Sequence, residues 1–445
     1  MHLSGRRVLV VGLGHSGLAA ARLCAQRGAK VTALDSKKDV EASVRALEAA
    51  GITLALGSND AANPSEFDLV VVSPGVPSFP GLEAADAKGV PILSEIELAV
   101  RCLKTPAPVV AIGGTNGKST TTTLVGELLS EGARNVFVGG NLGVPLASHV
   151  DETFDVVVLE VSSFQMERVD ELKPKSAALL NVTEDHLDRY PDFAAYAAAK
   201  GNCFQRQDSS DLAVVPFGDE TCLAQARRGK GRVVTFGTAS GADVAITADA
   251  IIDHLTGQRF ARSEIAVQGG HNALNVAAAL ALIAPFGITE AHRRAFLSSF
   301  LGLGHRMALV AEIAGVRFYD DSKGTNVGAV VTALEGVVEP KAVLIAGGKD
   351  KGGSYEPLVL ALERKGRAAV LIGEAAPLIE RAIAGKIPVE RATTMADAVK
   401  RAQKLALVGD AVLLSPACSS FDMFRDYKHR GDEFVRAVKS LEGAT

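Results

Sequence analysis

The stretch Val109–Thr122, VVAIGGTNGKSTTT, decides how the rest of the chain is read. Val109 to Ile112 form an apolar, strand-like run that empties into Gly113, Gly114 and Gly117, followed by Lys118, Ser119, Thr120 and a helix-compatible segment. This is the order of a phosphate-binding loop. Glycines let successive backbone N–H groups curl around an anion, the following helix adds the positive end of its dipole, the lysine reaches the terminal phosphates and the serine hydroxyl can hold Mg²⁺. The common pattern places another glycine five positions before the Gly-Lys pair, where this chain has Ile112, so a tighter loop is expected. The competing reading is a glycine-rich turn whose lysine is merely solvated.

A second glycine turn stands near the N-terminus. Arg6 to Val11 reads as a buried strand and runs into Gly12-Leu13-Gly14-His15-Ser16-Gly17, an alanine-rich helix closed by Gly28, and a strand from Lys30 to Leu34 that ends at Asp35. The spacing from Gly17 to Asp35 is close to the roughly 20 residues that separate a dinucleotide-fold glycine turn from its ribose-binding carboxylate. The same turn binds other nucleotides, or serves only as a tight packing turn, so it indicates the fold better than it indicates NAD.

A chain of 445 residues exceeds one ordinary core, and at about 150 residues per domain two to three domains are expected. With 47% hydrophobic and 22% charged residues and no tryptophan, the composition is that of a globular protein with aliphatic cores. A net charge of −4 and a pI near 6.2 lack the basic footprint of a nucleic-acid partner. Five scattered cysteines without a C-x-x-C pair point to free thiols in a reducing compartment, the cytoplasm. The N-terminal apolar run is broken by glycine, histidine and serine, which sets aside a signal peptide, and no stretch approaches the ~20 unbroken apolar residues of a membrane span.

Strands alternating with helices predict an α/β fold with parallel sheets. The proline pair in Lys104-Thr-Pro-Ala-Pro108 and the segment Gly302-Leu-Gly304-His-Arg306 mark boundaries, giving domains 1–104, 105–303 and 304–445. In the first, the loop Ser73-Pro-Gly75-Val-Pro77 follows a strand. In the second, the strand Asp155 to Leu159 ends at Glu160, the position of a Mg²⁺-organising carboxylate or, alternatively, of a helix cap. Asn181-Val-Thr-Glu-Asp-His186 follows the strand Ser176 to Leu180, and a short helix later ends at Lys200, which by itself reads as a surface lysine favoured by the helix dipole. Segments Leu212–Val215, Arg232–Phe236, 243–247 and 263–267 suggest an antiparallel lobe. Asn272 and Asn275 open an alanine-rich helix, as caps or as readers of a base edge. In the third domain, loops after the strands Val316–Tyr319, Ala342–Ala346 and Ala411–Leu414 carry Lys323, Lys351 and Ser420 at one sheet edge.

Taken together, GTNGKST (114–120), GGNLG (139–143), EVSSFQ (160–165), NVTEDHLDRYP (181–191), HNALN (271–275), GLGHR (302–306), DDSKGTN (320–326) and SPACSSFDMF (415–424) resemble the Mur ligase family, the ATP-dependent amide-forming enzymes of peptidoglycan synthesis. The resemblance spans the chain. It implies a Rossmann-like N-terminal domain, a central P-loop ATPase-like parallel sheet with a small antiparallel lobe, and a Rossmann-like C-terminal domain. GLGHSG, SPGVP, DDSKGTN and SPACSSFD most resemble members that add D-glutamate, with members that add L-alanine as the alternative.

The resemblance also implies roles. ATP would be held by Gly114, Thr115, Asn116, Gly117, Lys118, Ser119, Thr120, Asn272, Asn275, Arg306 and Asp321. One Mg²⁺ would sit on Ser119 and Glu160 and a second on His186 and a carbamylated Lys200, since CO₂ converts the amine into an anionic oxygen ligand. UDP-N-acetylmuramoyl-L-alanine would meet Gly14, Ser16, Gly17, Asp35, Ser36, Lys37, Ser73 and Gly75, with Asn141 and Gln165 on loops at its muramoyl end. D-Glutamate would meet Lys323, Thr325, Lys351, Ser420 and Phe421. A cytoplasmic monomer with small-molecule partners serving cell-wall biogenesis, cell shape and division is implied. Outside the family, the rivals are a two-nucleotide NAD oxidoreductase and an ATP-gated binding protein; nothing after residue 105 supplies a dehydrogenase motif.

Overall fold

A computed structural model describes residues 1–132, 134–267 and 269–442. Three sheets account for its strands. The first holds β1 (Arg7–Val11), β2 (Lys30–Asp35), β3 (Thr53–Leu56), β4 (Leu69–Val72) and β5 (Ile92–Ser94) in the order β3-β2-β1-β4-β5, all parallel. The order in which strands are added reverses between β1 and β4, so the glycine turn after β1 opens at the topological switch point where such sheets bind ligands.

The second sheet has nine strands: β6 (Val109–Gly113), β7 (Val136–Gly140), β8 (Val156–Glu160), β9 (Ser176–Leu179), β10 (Leu212–Pro216), β11 (Arg232–Gly237), β12 (Val244–Ile246), β13 (Ala250–Asp253) and β14 (Gln258–Ala261). Their order is β14-β13-β12-β11-β10-β9-β6-β8-β7. Here the expectation of an antiparallel lobe from residue 211 onward needs correction. β10 and β11 run parallel to β9 and extend the main sheet; only the β12-β13-β14 meander is antiparallel. The expected strand at 263–267 is instead a short 3-10 turn, Arg262–Glu264, and the hairpin β13–β14 supplies the pairing. A buried Arg293–Asp253 ion pair at 3.1 Å ties this hairpin to the helix Glu290–Leu297.

The third sheet holds β15 (Ala308–Ile313), β16 (Val316–Asp320), β17 (Ala342–Gly347), β18 (Gly366–Ile372), β19 (Val389–Arg391) and β20 (Ala411–Leu414), ordered β15-β16-β20-β17-β18-β19 and parallel apart from β15. Strand alternation sends Leu344 and Leu413 to one core with Leu334, Leu358 and Ile379, and Ile345 and Val412 to the opposite core with Phe318, Val399 and Phe434. Val343, Leu344 and Ile345 of β17 and Val412, Leu413 and Leu414 of β20 are all buried, the mark of a sheet covered on both faces.

Two compact units emerge: Met1–Val182 with Ala194–Ala266 and Ala273–Ser299, and Thr183–Phe193 with Val267–Asn272 and Phe300–Thr445, whose last residues 443–445 lie outside the described set. Within the first unit, two carboxylates in the first turn of the helix Glu95–Cys102 join the first two sheets. Glu97 accepts backbone N–H groups of Asp170, Glu171 and Leu172 at 3.1, 2.9 and 3.1 Å and pairs with Arg101. Glu95 accepts from Ala147 at 2.8 Å while its other oxygen is buried without a partner, and burial pushes this carboxyl up to about 7. All five cysteines are free and buried. Among the described residues no helix is long and apolar enough to cross a membrane.

Candidate active site

The phosphate loop forms as its residue types require. Gly113 closes β6, and residues 114–117 turn the chain into the helix Lys118–Leu129, with Gly114 at φ +136° and Gly117 at φ +84°, conformations that L side chains rarely adopt. A Cβ on Gly117 would also meet Asn275 Oδ1 at 2.5 Å, so Asn275, 8% exposed, packs directly on the loop. The loop is braced by the first residue of the NVTEDHLDRYP stretch, a role the sequence did not assign. Asn181, just beyond β9, accepts the Asn116 N–H on its side-chain oxygen at 2.9 Å and returns its amide to the Asn116 carbonyl at 3.1 Å, while its own carbonyl accepts the Thr115 N–H at 2.9 Å.

Two amines converge on one loop oxygen. Lys118 Nζ donates to the carbonyls of Gly114 and Thr115 at 2.9 and 2.7 Å, and Lys200 Nζ donates to the same Gly114 carbonyl at 2.8 Å. Lys200 is therefore not the surface residue its helix position suggests: it is 4% exposed, with its ammonium 4.6 Å from the Tyr196 ring centre. The last turn of the helix Phe193–Gly201 faces inward, with Ala199, Lys200 and Gly201 all buried. Tyr196, also missed by the sequence, places its hydroxyl 3.3 Å from Thr115 Oγ1.

Glu160 stands beside this loop, since β8 pairs with β6 at Ile112↔Glu160. It is no helix cap: Ser162 and Gln165 form the capping box of the next helix, Ser163–Met166. One Glu160 oxygen accepts the Asn141 amide at 2.6 Å, and the other is buried with no partner. Asn141 thus links the GGNLG loop to Glu160. Gln165 departs from its expected place on a lining loop; it lies in the helix, 1% exposed, with its side-chain oxygen accepting from Ser162 N and Oγ at 2.9 and 3.1 Å. Ser119 and Thr120 are buried in the first turn after the loop.

In the first sheet, the turn after β1 is crowded enough to demand its glycines, for a Cβ on Gly17 would lie 1.8 Å from the Gly12 carbonyl oxygen. Asp35, ending the neighbouring β2, accepts the N–H of Leu13 at 2.8 Å and of Lys37 at 2.9 Å. Ser73, ending β4, donates to the Gly12 carbonyl at 2.6 Å. Gly14, Ser16, Ser36 and Gly75 lie on these same strand-end turns, so the residues expected to meet the uridine group gather at one edge.

In the second unit, the expected amino-acid residues follow three adjacent strands: Lys323 and Thr325 after β16, Ser420 and Phe421 after β20, Lys351 after β17. The loops interlock through Ala417 N–H to Gly324 O, Gly347 N–H to Pro416 O, and reciprocal bonds between Lys349 and Ser419. Lys323 Nζ sits 3.9 Å from the centre of the Tyr427 ring. Lys351 lies 3.4 Å from Asp185, whose segment also carries His186, held at φ +56° with Nε2 3.7 Å from Asp185. Lys351, Asp185, Asn326, Val327 and Tyr355 line a cavity of about 240 Å³. Ser420 is buried, whereas the Phe421 ring is 71% exposed. Asp321 accepts from Ser415 Oγ at 2.7 Å, and burial pushes its carboxyl up to about 7, with Ser415 and Arg306 pulling it back.

The Mur ligase MurD-like N-terminal domain matches residues 6–94, the Mur ligase middle domain 112–283, and the Mur ligase glutamate ligase domain 305–418. The UDP-N-acetylmuramoylalanine--D-glutamate ligase of Geotalea daltonii is 44% identical over 100% of this chain and 99% of its own. The chain belongs to the Mur ligase family. A second relative of that name, from Desulfosudis oleivorans, is 43% identical over 98% of this chain and 97% of its own. Among solved structures, the UDP-N-acetylmuramate-alanine ligase of Thermotoga maritima superposes on this Mur ligase with a TM-score of 0.60 at 20% identity, covering 98% of this chain and all of that one, a likeness of fold.

Members of the family use ATP and Mg²⁺. Among the described residues of this Mur ligase no three His, Cys, Asp or Glu side chains form a ready-made metal cluster. Mg²⁺ is usually held by one or two carboxylates together with substrate phosphates and water. The unpartnered Glu160 oxygen and the Ser119 hydroxyl, in the first turn after the phosphate loop, are ligands of the kind it takes.

Proposed function

We propose that this chain is an ATP-dependent ligase that joins D-glutamate to UDP-N-acetylmuramoyl-L-alanine, a cytoplasmic step of peptidoglycan synthesis, acting as a monomer with domains 1–104, 105–303 and 304–445. The observation that carries the chemistry is the meeting of Lys118 and Lys200 on the Gly114 carbonyl, with the unpartnered Glu160 oxygen on the adjacent strand. The choice of D-glutamate is supported by the names of the full-length relatives and by the three cation- and hydroxyl-bearing loops of the third sheet.

A carboxylate is a poor electrophile, so the muramoyl L-alanine carboxylate attacks the γ-phosphorus of ATP, and the bond to ADP breaks with its electron pair leaving on ADP. The acyl phosphate so formed is attacked at its carbonyl by the neutral amine of D-glutamate; the amine loses a proton and inorganic phosphate departs. Lys118 exchanges its two loop carbonyls for the terminal phosphate oxygens and neutralises charge that develops there. Thr115, Asn116 and the helix N-terminus position the phosphate chain, with Asn275 packed against the turn and Asn272, Arg306 and Asp321 serving the nucleotide. Glu160 and Ser119 would hold Mg²⁺, which would supply neutralisation of phosphate charge. Lys200, as its carbamate, would offer an anionic oxygen ligand to a second Mg²⁺.

Phosphate release is the test: the enzyme is mixed with UDP-N-acetylmuramoyl-L-alanine, ATP, Mg²⁺ and in turn D-glutamate, L-glutamate and L-alanine. Release with D-glutamate is expected. L-Alanine lacks the second carboxylate and leaves one donor set unpaired, at about 1–3 kcal/mol per group; a preference for it would overturn the reading.

A further inference from the structure

We propose that Arg430 is a positioning residue for the acceptor amino acid, a buried guanidinium that locks the strand-end loops together and keeps a fixed positive charge behind them. Arg430 lies in the first turn of the helix Tyr427–Glu442 and is 0% exposed. Its Nε donates to Ser322 Oγ at 3.0 Å and its Nη2 to the Ser322 carbonyl at 2.8 Å, while Nη1 donates to the Cys418 carbonyl at 3.1 Å. One planar group thus holds the loop after β16 and the loop after β20. The loop after β17 is pressed on it as well, since a Cβ on Gly348 would stand 3.3 Å from Nη1.

What Arg430 lacks is equally informative. A buried arginine normally faces a carboxylate, yet among the described residues none comes within 4.0 Å of this one. The nearby acids bond elsewhere: Asp320 with His305 and the Ser322 N–H, Asp321 with Ser415, and Asp422 through one oxygen with the Glu374 N–H, its other oxygen being buried without a hydrogen-bond partner. The hydrogen-bond partners of Arg430 are two carbonyls and a hydroxyl, and its charge is offset only at longer range, by Asp422, Asp320 and Asp321. Burial lowers its pKa to about 10, which still leaves it protonated at neutral pH. A cation held in this way costs free energy unless something gains from it, and a dianionic acceptor at the loop ends would gain. There is also a mechanical route to that site. Ser322 Oγ passes the contact on by donating to the Tyr427 carbonyl at 2.8 Å, and the Tyr427 ring carries Lys323 Nζ at 3.9 Å.

The inference rests on the D-glutamate reading of these loops, and the experiment separates the two. Wild-type, Arg430→Lys and Arg430→Met enzymes are compared by phosphate release, with KM for the acceptor, ATP and UDP-N-acetylmuramoyl-L-alanine measured separately. Lysine keeps the charge but cannot bond both loops at once, so acceptor KM should rise about tenfold; methionine removes both, and the rise should reach about 100-fold, the range of one or two charge-assisted hydrogen bonds. UDP-substrate KM should stay within about twofold, because its residues lie on other loops, and ATP KM should rise less than acceptor KM, since only Asp321 of the nucleotide residues adjoins the Ser322 that Arg430 holds. Equal increases in all three KM values, or an unchanged acceptor KM in a folded Arg430→Met enzyme, would reduce Arg430 to a structural strut. Should the methionine variant not fold, the KM split in Arg430→Lys decides the matter alone. If the wild type ignores D-glutamate, the substrate reading has failed, and the same split is measured with whichever acceptor the wild type accepts.

Discussion

Two glycine-rich strand-to-helix turns sit in one compact unit and look alike in sequence, yet they are filled by opposite chemistry. In the turn after β1, the carboxylate of Asp35 accepts the Leu13 N–H, so acidic charge already occupies the concave backbone. In the turn after β6, the neutral amide of Asn181 does the bracing and two lysine amines gather at the Gly114 carbonyl. The glycines determine the path of the chain in both places. The residue at the end of the neighbouring strand determines which charge is welcome, and on that basis the first turn suits a polar, hydrogen-bonding group and the second suits phosphate.

Three substitutions sharpen or break that contrast. Lys118→Ala should remove turnover by a factor on the order of 10² or more, with UDP-substrate binding retained, because it deletes charge at the transferring phosphoryl group; near-normal phosphate release from a folded variant would sink the phosphate-loop assignment. Lys200→Ala should be nearly inactive and regain part of its rate with added acetate, since the absent group is an anionic oxygen ligand. Full activity without acetate would leave Lys200 as a packing residue. Asp35→Ala should have the mildest effect, raising KM for the UDP-substrate about tenfold while leaving KM for ATP unchanged, as expected for one lost charge-assisted contact. A matching rise for ATP would show that the two turns do not act separately.

Much of this arrangement is legible in the sequence because local rules govern it. Buried β6, β8, β17 and β20 read as continuous apolar runs, and the two glycine turns carry their own steric signature. The misses have non-local causes. β10 and β11 read as an irregular lobe, and only their pairing with β9 makes them part of the main sheet. β15 alternates weakly and β19 has three residues, so neither offers enough periodicity to detect. Lys200 shows how far helix position can mislead, because the dipole argument ignores which neighbour the last turn meets. Asn181 and Arg430 act through backbone groups of loops distant in sequence, and no spacing rule reports such contacts.

The buried cysteines have a practical use. Nucleophilic attack on a label requires the thiolate, and burial pushes Cys24 and Cys203 up to about 12 and Cys418 to about 11, with Cys102 and Cys222 also raised. The natural chain is therefore nearly silent to maleimide and iodoacetamide reagents. A single cysteine introduced on an exposed helix could be tagged with a fluorophore or spin label without first stripping the native thiols, leaving the interior untouched while ligand-dependent signals are recorded from one known point.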